Sequence, residues 1–271
     1  HETNTEKDIF ARILIQDIIL MINEKISKNY LKVLTSLNSK KFRQKYQLFI
    51  VEGEKIVSEL MLNNPQLIKY LIINEDYTGN PIILNKFNIY WADNVQFSKI
   101  SSMSTPPPIL AICDMDEYHK INVEDIFAFH LYLDNVRDPG NIGTIIRTAE
   151  WFGIQKIYLS DGSVDLFHPR LIQSSMGSFF RVSCSILPNE DIQKLKRPLI
   201  GAVMDGMSLN KWHQPKEGTL IVGNESNGLS QEIIAALDQK IKIDHASTNN
   251  AESLNVGIAT AVLLYAISLK M

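Results

Sequence analysis

One stretch constrains the fold of this 271-residue chain more than any other: residues 131–153, LYLDNVRDPGNIGTIIRTAEWFG. An apolar run at 127–133 has the length of a strand, the pattern breaks at Asp138-Pro139-Gly140, and helical periodicity resumes at Ile142, Ile145, Ile146, Ala149 and Phe152. The stretch reads as strand, tight turn, helix. On that helix Arg147 lies nearly opposite the apolar stripe, and Gly143 stands one turn before it. Helical side chains lean back over the preceding turn, so a glycine at 143 is expected to leave open space beneath the guanidinium where a ligand can dock. The plainer alternative is a solvated helix face with a mildly destabilising glycine.

With 45% hydrophobic and 21% charged residues, a chain of this length buries a sizeable core and is expected to form two domains. Its composition is neither disordered nor fibrous. Cys113 and Cys184 have no metal spacing and build no disulfide framework; they fit a reducing cytoplasm, and no metal site is expected. No apolar run reaches the roughly 18 residues of a membrane span. The nearest, 9–22, is interrupted by Arg12, Gln16 and Asp17 and lacks the cleavage site of a signal peptide. Met21 is a candidate natural start, which sets residues 1–20 apart as a leader.

Net charge is −3, but residues 24–47 carry seven basic side chains against one acidic, so this segment holds +6 and the remainder −9. A basic segment in an otherwise acidic chain points to a polyanion, with Lys40, Lys41, Arg43 and Lys45 as candidate phosphate contacts. Phe42, Tyr46 and Phe49 interleave with them and are candidates for stacking on bases. The alternative is a solvated amphipathic helix with its aromatics in the core.

Farther along, 49–53 reads as a strand, 54–62 as a helix, and 67–73 and 88–91 as strands. A Pro/Ser-rich run at 101–108 precedes another strand at 109–113. That last strand completes a first α/β unit, so the boundary is placed at 114–124 rather than in the prolines, giving domains 21–120 and 121–271. After the central stretch the expected order is strand 156–160, helix 169–176, strands 199–204 and 219–223, helix 230–237, strand 240–243 and helix 253–269. Such alternation predicts an α/β fold with a mostly parallel sheet.

Two further stretches carry chemistry. Residues 220–229, LIVGNESNGL, form a buried strand ending in a polar loop, at the carboxyl end where parallel sheets bind ligands. There Gly223 is expected to let a ligand approach the backbone and Glu225 is a lone carboxylate, although a plain Asn-Gly turn gives the same pattern. Near the end, Ser253 is a candidate cap for a final helix that is apolar nearly all round. Asn255 then falls in the first turn of that buried helix and needs polar partners.

Together these stretches resemble the three signature motifs of the SpoU/TrmH family of RNA 2′-O-ribose methyltransferases, in the SPOUT class. Motif one resembles Asn141-x-Gly143-x-x-x-Arg147, motif two Gly223-Asn224-Glu225-x-x-Gly228, and motif three Glu252-Ser253-Leu254-Asn255-Val256. Lys40-Lys41-Phe42-Arg43 and Val51-Glu52-Gly53-Glu54-Lys55 also resemble the family's small N-terminal substrate-binding domain. The resemblance implies a C-terminal trefoil knot, a bent S-adenosylmethionine (AdoMet) contacted at Gly223, Ile243 and Leu254, a homodimer, and catalytic roles for Asn141, Arg147, Glu225, Ser253 and Asn255. Two departures stand out: Asp244 replaces a common proline in a lengthened 243–254 loop with polar 247–250, and Gln173 stands where a basic residue is frequent.

The chemistry implied is methylation of an RNA ribose, with ribosomal RNA the family's commonest target and transfer RNA an alternative. A methyl already activated on AdoMet asks the protein to align a 2′-hydroxyl and stabilise its developing oxyanion. A guanidinium is never deprotonated in proteins, which favours Arg147 as cationic stabiliser and phosphate binder over general base. Glu225 would hold a polar group in place and Asn255 would orient Arg147 or the ribose. A non-catalytic RNA-binding protein with a degenerate knot is the rival from another class. A dinucleotide-dependent oxidoreductase lacks its G-x-G-x-x-G after a strand.

Overall fold

A computed structural model describes residues 25–78, 86–121, 123–124, 128–245 and 253–269. The expected leader 1–20, the candidate start Met21, Phe127, the polar 247–250 and Glu252 of motif three lie outside these residues. The chain divides into two compact units, the first ending at Lys120 and the second beginning at Ile121.

In the first unit, helices α1 (Lys28–Ser36) and α2 (Lys40–Tyr46) lead into β1 (Leu48–Glu52), α3 (Glu54–Asn63), β2 (Ile68–Asn74), β3 (Ile89–Ala92), α4 (Asn94–Ile100), β4 (Ile109–Asp114) and α5 (Met115–Tyr118). The sheet runs β1-β4-β2-β3, with β4 antiparallel to both its neighbours and β2 parallel to β3. Leu34, Leu37, Ile50, Ile72, Phe97 and Ile112 meet in one core cluster. Helix α4 was not expected, though its signal is present: Asp93 accepts from the Gln96 amide while Gln96 accepts from the Asp93 amide, a capping box. The Pro/Ser-rich run is tied down at its start. The buried Glu52 carboxylate accepts from the Ser101 hydroxyl and from the Ser102 amide and hydroxyl, at 2.9 and 2.6 Å for the latter two.

The second unit contains β5 (Phe129–Asp134), α6 (Pro139–Trp151), β6 (Lys156–Leu159), α7 (Pro169–Ser175), β7 (Ser183–Ile186), β8 (Leu199–Ser208), β9 (Gly218–Gly223), α8 (Gln231–Ala236), β10 (Gln239–Lys242) and α9 (Val256–Ser268). All six strands are parallel, in the order β10-β8-β9-β5-β6-β7. Strand β7 was not expected, because SCSI is short and half polar. Strand β8 runs to Ser208 rather than 204, because after a register shift its far end pairs again with β10. The implied knot would involve the chain between β10 and α9, of which 246–252 lie outside the described residues.

The final helix corrects the sequence reading. It starts at Val256, not Ser253, and its cap is Asn255, whose side chain accepts from the amides of Gly257 and Ile258. Ser253 is exposed and precedes the cap. An asparagine one residue before the helix competes better than a serine farther out, because its oxygen reaches two free amides at once.

Candidate active site

Strands β5 and β9 are neighbours, with Asp134 in register with Gly223, so the loops of motifs one and two leave the sheet side by side. Strand order reverses here, since β6 and β7 extend the sheet beyond β5 while β8 and β10 extend it beyond β9. Loops that leave a parallel sheet at such a point diverge and open a crevice at its carboxyl edge. Motif one enters that edge through a capped helix start: Asp138 accepts from the Asn141 amide at 2.8 Å, and Pro139 fills the first helical position.

The three motifs meet through a chain of side-chain hydrogen bonds. Asn255 Oδ1 accepts from the backbone amides of Gly257 and Ile258 at 2.9 and 3.3 Å. Its Nδ2 donates to Asn141 Oδ1 at 3.1 Å, and Asn141 Nδ2 donates to Glu225 Oε1 at 2.6 Å. A backbone amide only donates, so the Asn255 oxygen must face the helix and its amino group must face Asn141. That forces the Asn141 amino group toward Glu225, so the direction of every bond is set from the helix terminus. Glu225 is half-buried, and no other donor among the described residues reaches its carboxylate. One of its oxygens remains available to a hydroxyl.

Arg147 stands apart from this chain of bonds. It is exposed on α6 and has no hydrogen-bond or ion-pair partner among the described residues. The expected space beneath it is filled. A Cβ on Gly143 would lie 2.0 Å from Ser174 Oγ and 2.4 Å from the Leu171 carbonyl, so the glycine serves the close approach of α7 to α6. Gly223 is likewise explained within its own loop. A Cβ there would fall 2.4 Å from the Gly228 carbonyl, where Asn224 and Gly228 exchange backbone hydrogen bonds at 3.1 and 2.9 Å. Its sequence signal is genuine, but the close approach is made by the chain itself.

The basic segment divides by burial. Lys40, Lys41 and Lys45 are exposed, with Lys41 Nζ 6.0 Å from the Phe42 ring and Lys45 Nζ 5.4 Å from the Tyr46 ring. Phe42 and Tyr46 stack on each other at 6.2 Å and stay half-buried. Arg43 is a correction: it is 2% exposed and donates from Nη1 to the Leu37 carbonyl at 2.8 Å, so it knits α1 to α2 and is withdrawn from phosphate. Phe49 is a second correction, since it lies on β1 at 0% exposure and is out of reach of a base.

Of the three expected cofactor contacts, Gly223 ends β9 and half-buried Ile243 follows β10, both on the carboxyl edge. Leu254, 48% exposed, precedes the Asn255 cap. Between β9 and β10 runs β8, whose Met207 is in register with Ile241 and is 55% exposed. Uncovered apolar side chains beside backbone groups at strand ends suit AdoMet, which presents a flat adenine face to apolar side chains and an adenine edge and charged amino-acid end to polar groups. The Asp244 carboxylate, which replaces the common proline, is held away at the surface by Ser208 Oγ at 2.5 Å and Asn210 Nδ2 at 3.1 Å.

A parallel sheet with three polar motifs converging at its carboxyl edge is the layout of a SPOUT-class RNA methyltransferase. The SpoU rRNA methylase family matches residues 128–265, and an MRM3-like substrate binding domain matches 28–111. A Bacillus subtilis relative described as 23S rRNA (guanosine(2553)-2′-O)-methyltransferase RlmP is 31% identical, across 84% of this chain and 92% of its own. A TrmH-family structure from Porphyromonas gingivalis superposes with a TM-score of 0.77 at 32% identity, covering 92% of this chain and 100% of its own. An AdoMet-bound rRNA methyltransferase from Sinorhizobium meliloti gives 0.79 at 25% identity, covering 92% and 97%. The chain belongs to the SpoU rRNA methylase family. It is an AdoMet-dependent RNA methyltransferase.

Proposed function

We propose that the protein methylates a ribose 2′-hydroxyl of ribosomal RNA, that residues 21–120 grip the RNA and that residues 121–271 carry out the transfer. The observation that carries this reading is the Asn255–Asn141–Glu225 chain of hydrogen bonds, which draws one residue from each motif to a single point on the sheet edge. The Bacillus subtilis relative, described as acting on 23S rRNA, supports the choice of RNA. AdoMet, held along Gly223, Ile243 and Leu254, supplies an electrophilic methyl group. Glu225, fixed by Asn141, holds a polar group in place with its available oxygen, and Asn255 orients Arg147 or the ribose. Arg147, uncommitted on the same helix, stabilises the oxyanion and binds the adjoining phosphate, while the proton leaves to phosphate or water. Ser253 lies beside the Asn255 cap and contacts the ribose or the cofactor. Exposed Lys40, Lys41 and Lys45 contact phosphates of the RNA backbone.

The reading includes a homodimer. Along α9, Ile258, Val262, Tyr265 and Leu269 are 57%, 37%, 55% and 66% exposed at a spacing that makes one apolar stripe, and Trp151 at the end of α6 is 84% exposed. A second copy covering this stripe removes a large apolar patch from water and closes around the exposed Arg147. A cytoplasmic location accords with the thiols of Cys113 and Cys184, both buried and neither in a disulfide. No helix among the described residues is long and apolar enough to cross a membrane.

The test is transfer of isotopically labelled methyl from AdoMet to purified ribosomal RNA and, in parallel, to transfer RNA, followed by digestion and mass spectrometry of the nucleosides. Label on a ribose 2′-oxygen of ribosomal RNA is expected. Label on a base, or on neither RNA, contradicts the reading, and label on transfer RNA alone reassigns the substrate.

A further inference from the structure

Both ends of the loop that bears Glu225 are tied to one dipeptide, Asp134-Asn135, at the carboxyl end of β5. At the near end, Asn224 Nδ2 donates to the Asn135 carbonyl at 3.2 Å. At the far end, the Ser230 amide donates to Asp134 Oδ2 at 2.6 Å. Only residues 225–229 span the gap, and Asn224 Oδ1 stiffens them by accepting from the amides of Ser226 and Asn227 at 2.9 and 3.2 Å. Tyr132, two residues earlier on the same face of β5, donates to Asn189 Oδ1 at 2.6 Å, and Asn189 Nδ2 donates to Ser230 Oγ at 3.2 Å. Ser230 is thus approached from two sides.

The dipeptide is itself over-determined. Asp134 is 0% exposed, and its second oxygen accepts from Asn135 Nδ2 at 2.8 Å. Asn135 is held in the left-handed region at φ 53°, with its amide donating to Ser160 Oγ at 2.8 Å. A Cβ at Gly162 would lie 2.0 Å from Asn135 Oδ1, so that glycine makes room for the side chain. A buried carboxylate with no basic partner among the described residues is costly in a domain core. Packing alone would be served as well by an apolar residue.

We infer that Asp134 is a positioning residue for methyl transfer: with Asn135 it fixes both ends of the 224–230 loop and thereby the place where Glu225 meets Asn141. The inference rests on the reading of Asn141, Glu225 and Asn255 as the reaction site. Asp134→Ala removes the acceptor of both the Ser230 amide and Asn135 Nδ2 and leaves two donors unmatched. Asp134→Asn keeps both bonds, since its oxygen accepts from the Ser230 amide and its amino group donates to Asn135 Oδ1 once that side-chain amide turns over.

The experiment is methyl transfer to ribosomal RNA by these variants, with kcat and the KM for RNA separated, melting temperature recorded, and Glu225→Ala run in parallel. For Asp134→Ala, a fall in kcat of about tenfold or more with KM for RNA unchanged is expected, the size of one lost hydrogen bond. Asp134→Asn should recover most of that loss. Parent kcat in Asp134→Ala, or an Asp134→Asn variant no faster than Asp134→Ala, overturns the inference. Should Asp134→Ala not fold, Asn224→Asp keeps the acceptor of the Ser226 and Asn227 amides and loses the donor to the Asn135 carbonyl; it must then show the same fall in kcat at the parent melting temperature, and parent kcat there overturns the inference as well. Parent kcat in Glu225→Ala instead overturns the underlying reading of the site.

Discussion

Asn141 Nδ2 lies 2.6 Å from Glu225 Oε1 although the two residues are 84 apart in the chain. The contact depends on Asn255, which presents its amino group to Asn141 only because its oxygen is engaged by the helix amides. Asn255→Asp separates these two jobs. The carboxylate still caps α9, so melting temperature should stay near the parent value, but it sets an acceptor against Asn141 Oδ1. A loss of methyl transfer of about tenfold or more with stability retained is expected, whereas Asn255→Ala should also cost roughly 1 kcal/mol of helix capping. Thermal melting beside a transfer assay checks both.

Gly143→Ala discriminates the two accounts of that glycine. Open space beneath Arg147 would let alanine stabilise the helix by up to about 1 kcal/mol. Because its Cβ would meet Ser174 Oγ at 2.0 Å and the Leu171 carbonyl at 2.4 Å, the structure gives the opposite sign. Denaturant titration should show a loss of about 2 kcal/mol or more as α6 and α7 are forced apart.

In the basic segment, Lys40, Lys41 and Lys45 changed together to Ala should weaken RNA binding and flatten its salt dependence by roughly one unit of slope per lost phosphate contact. AdoMet affinity should be untouched. Arg43→Ala should behave differently, lowering the stability of the first unit by roughly 2 kcal/mol through an unpaired Leu37 carbonyl and lost packing. An unchanged salt slope in the triple variant would return these lysines to an ordinary solvated helix face.

Ile258→Asp with Tyr265→Ser places a charge and a polar group on the apolar stripe of α9, where both parent side chains are more than half exposed. Light scattering should show a dimer for the parent and a monomer for the variant, with transfer activity falling alongside. A parent that is fully active as a monomer at micromolar concentration contradicts the homodimer.

Much of the second unit was legible because strongly periodic apolar runs, an Asp-Pro-Gly break and polar strand ends follow directly from helix and strand periods. The four-residue β7 was not, since its pairing with β6 is decided by the sheet and not by Ser183-Cys184-Ser185-Ile186 themselves. Asn141, Glu225 and Asn255, which the structure brings together, were legible from their motifs, but their geometry was not. Asn255 reads equally well as a first-turn residue or a cap, and only the free amides of Gly257 and Ile258 decide between them. Arg43 and Phe49 sit in the same basic-aromatic pattern as their exposed neighbours, and burial separates them only once β1 and the two preceding helices pack. Asp134 went unnoticed because an acidic residue closing an apolar strand looks like the start of a turn; its partner Ser230 lies 96 residues away.

Arg147, exposed and uncommitted on the helix that holds Asn141, is proposed to stabilise the 2′-oxyanion. Single-turnover methyl transfer with saturating RNA and AdoMet tests it most directly, because it isolates the chemical step from binding. Arg147→Ala should slow that step on the order of 10²-fold or more, as for loss of an oxyanion donor, and Arg147→Lys should recover only part of it, because it keeps the charge and loses the planar fork. AdoMet affinity should be unchanged in both. Transfer by Arg147→Ala at close to the parent rate would contradict the account and leave Arg147 as a surface residue of its helix.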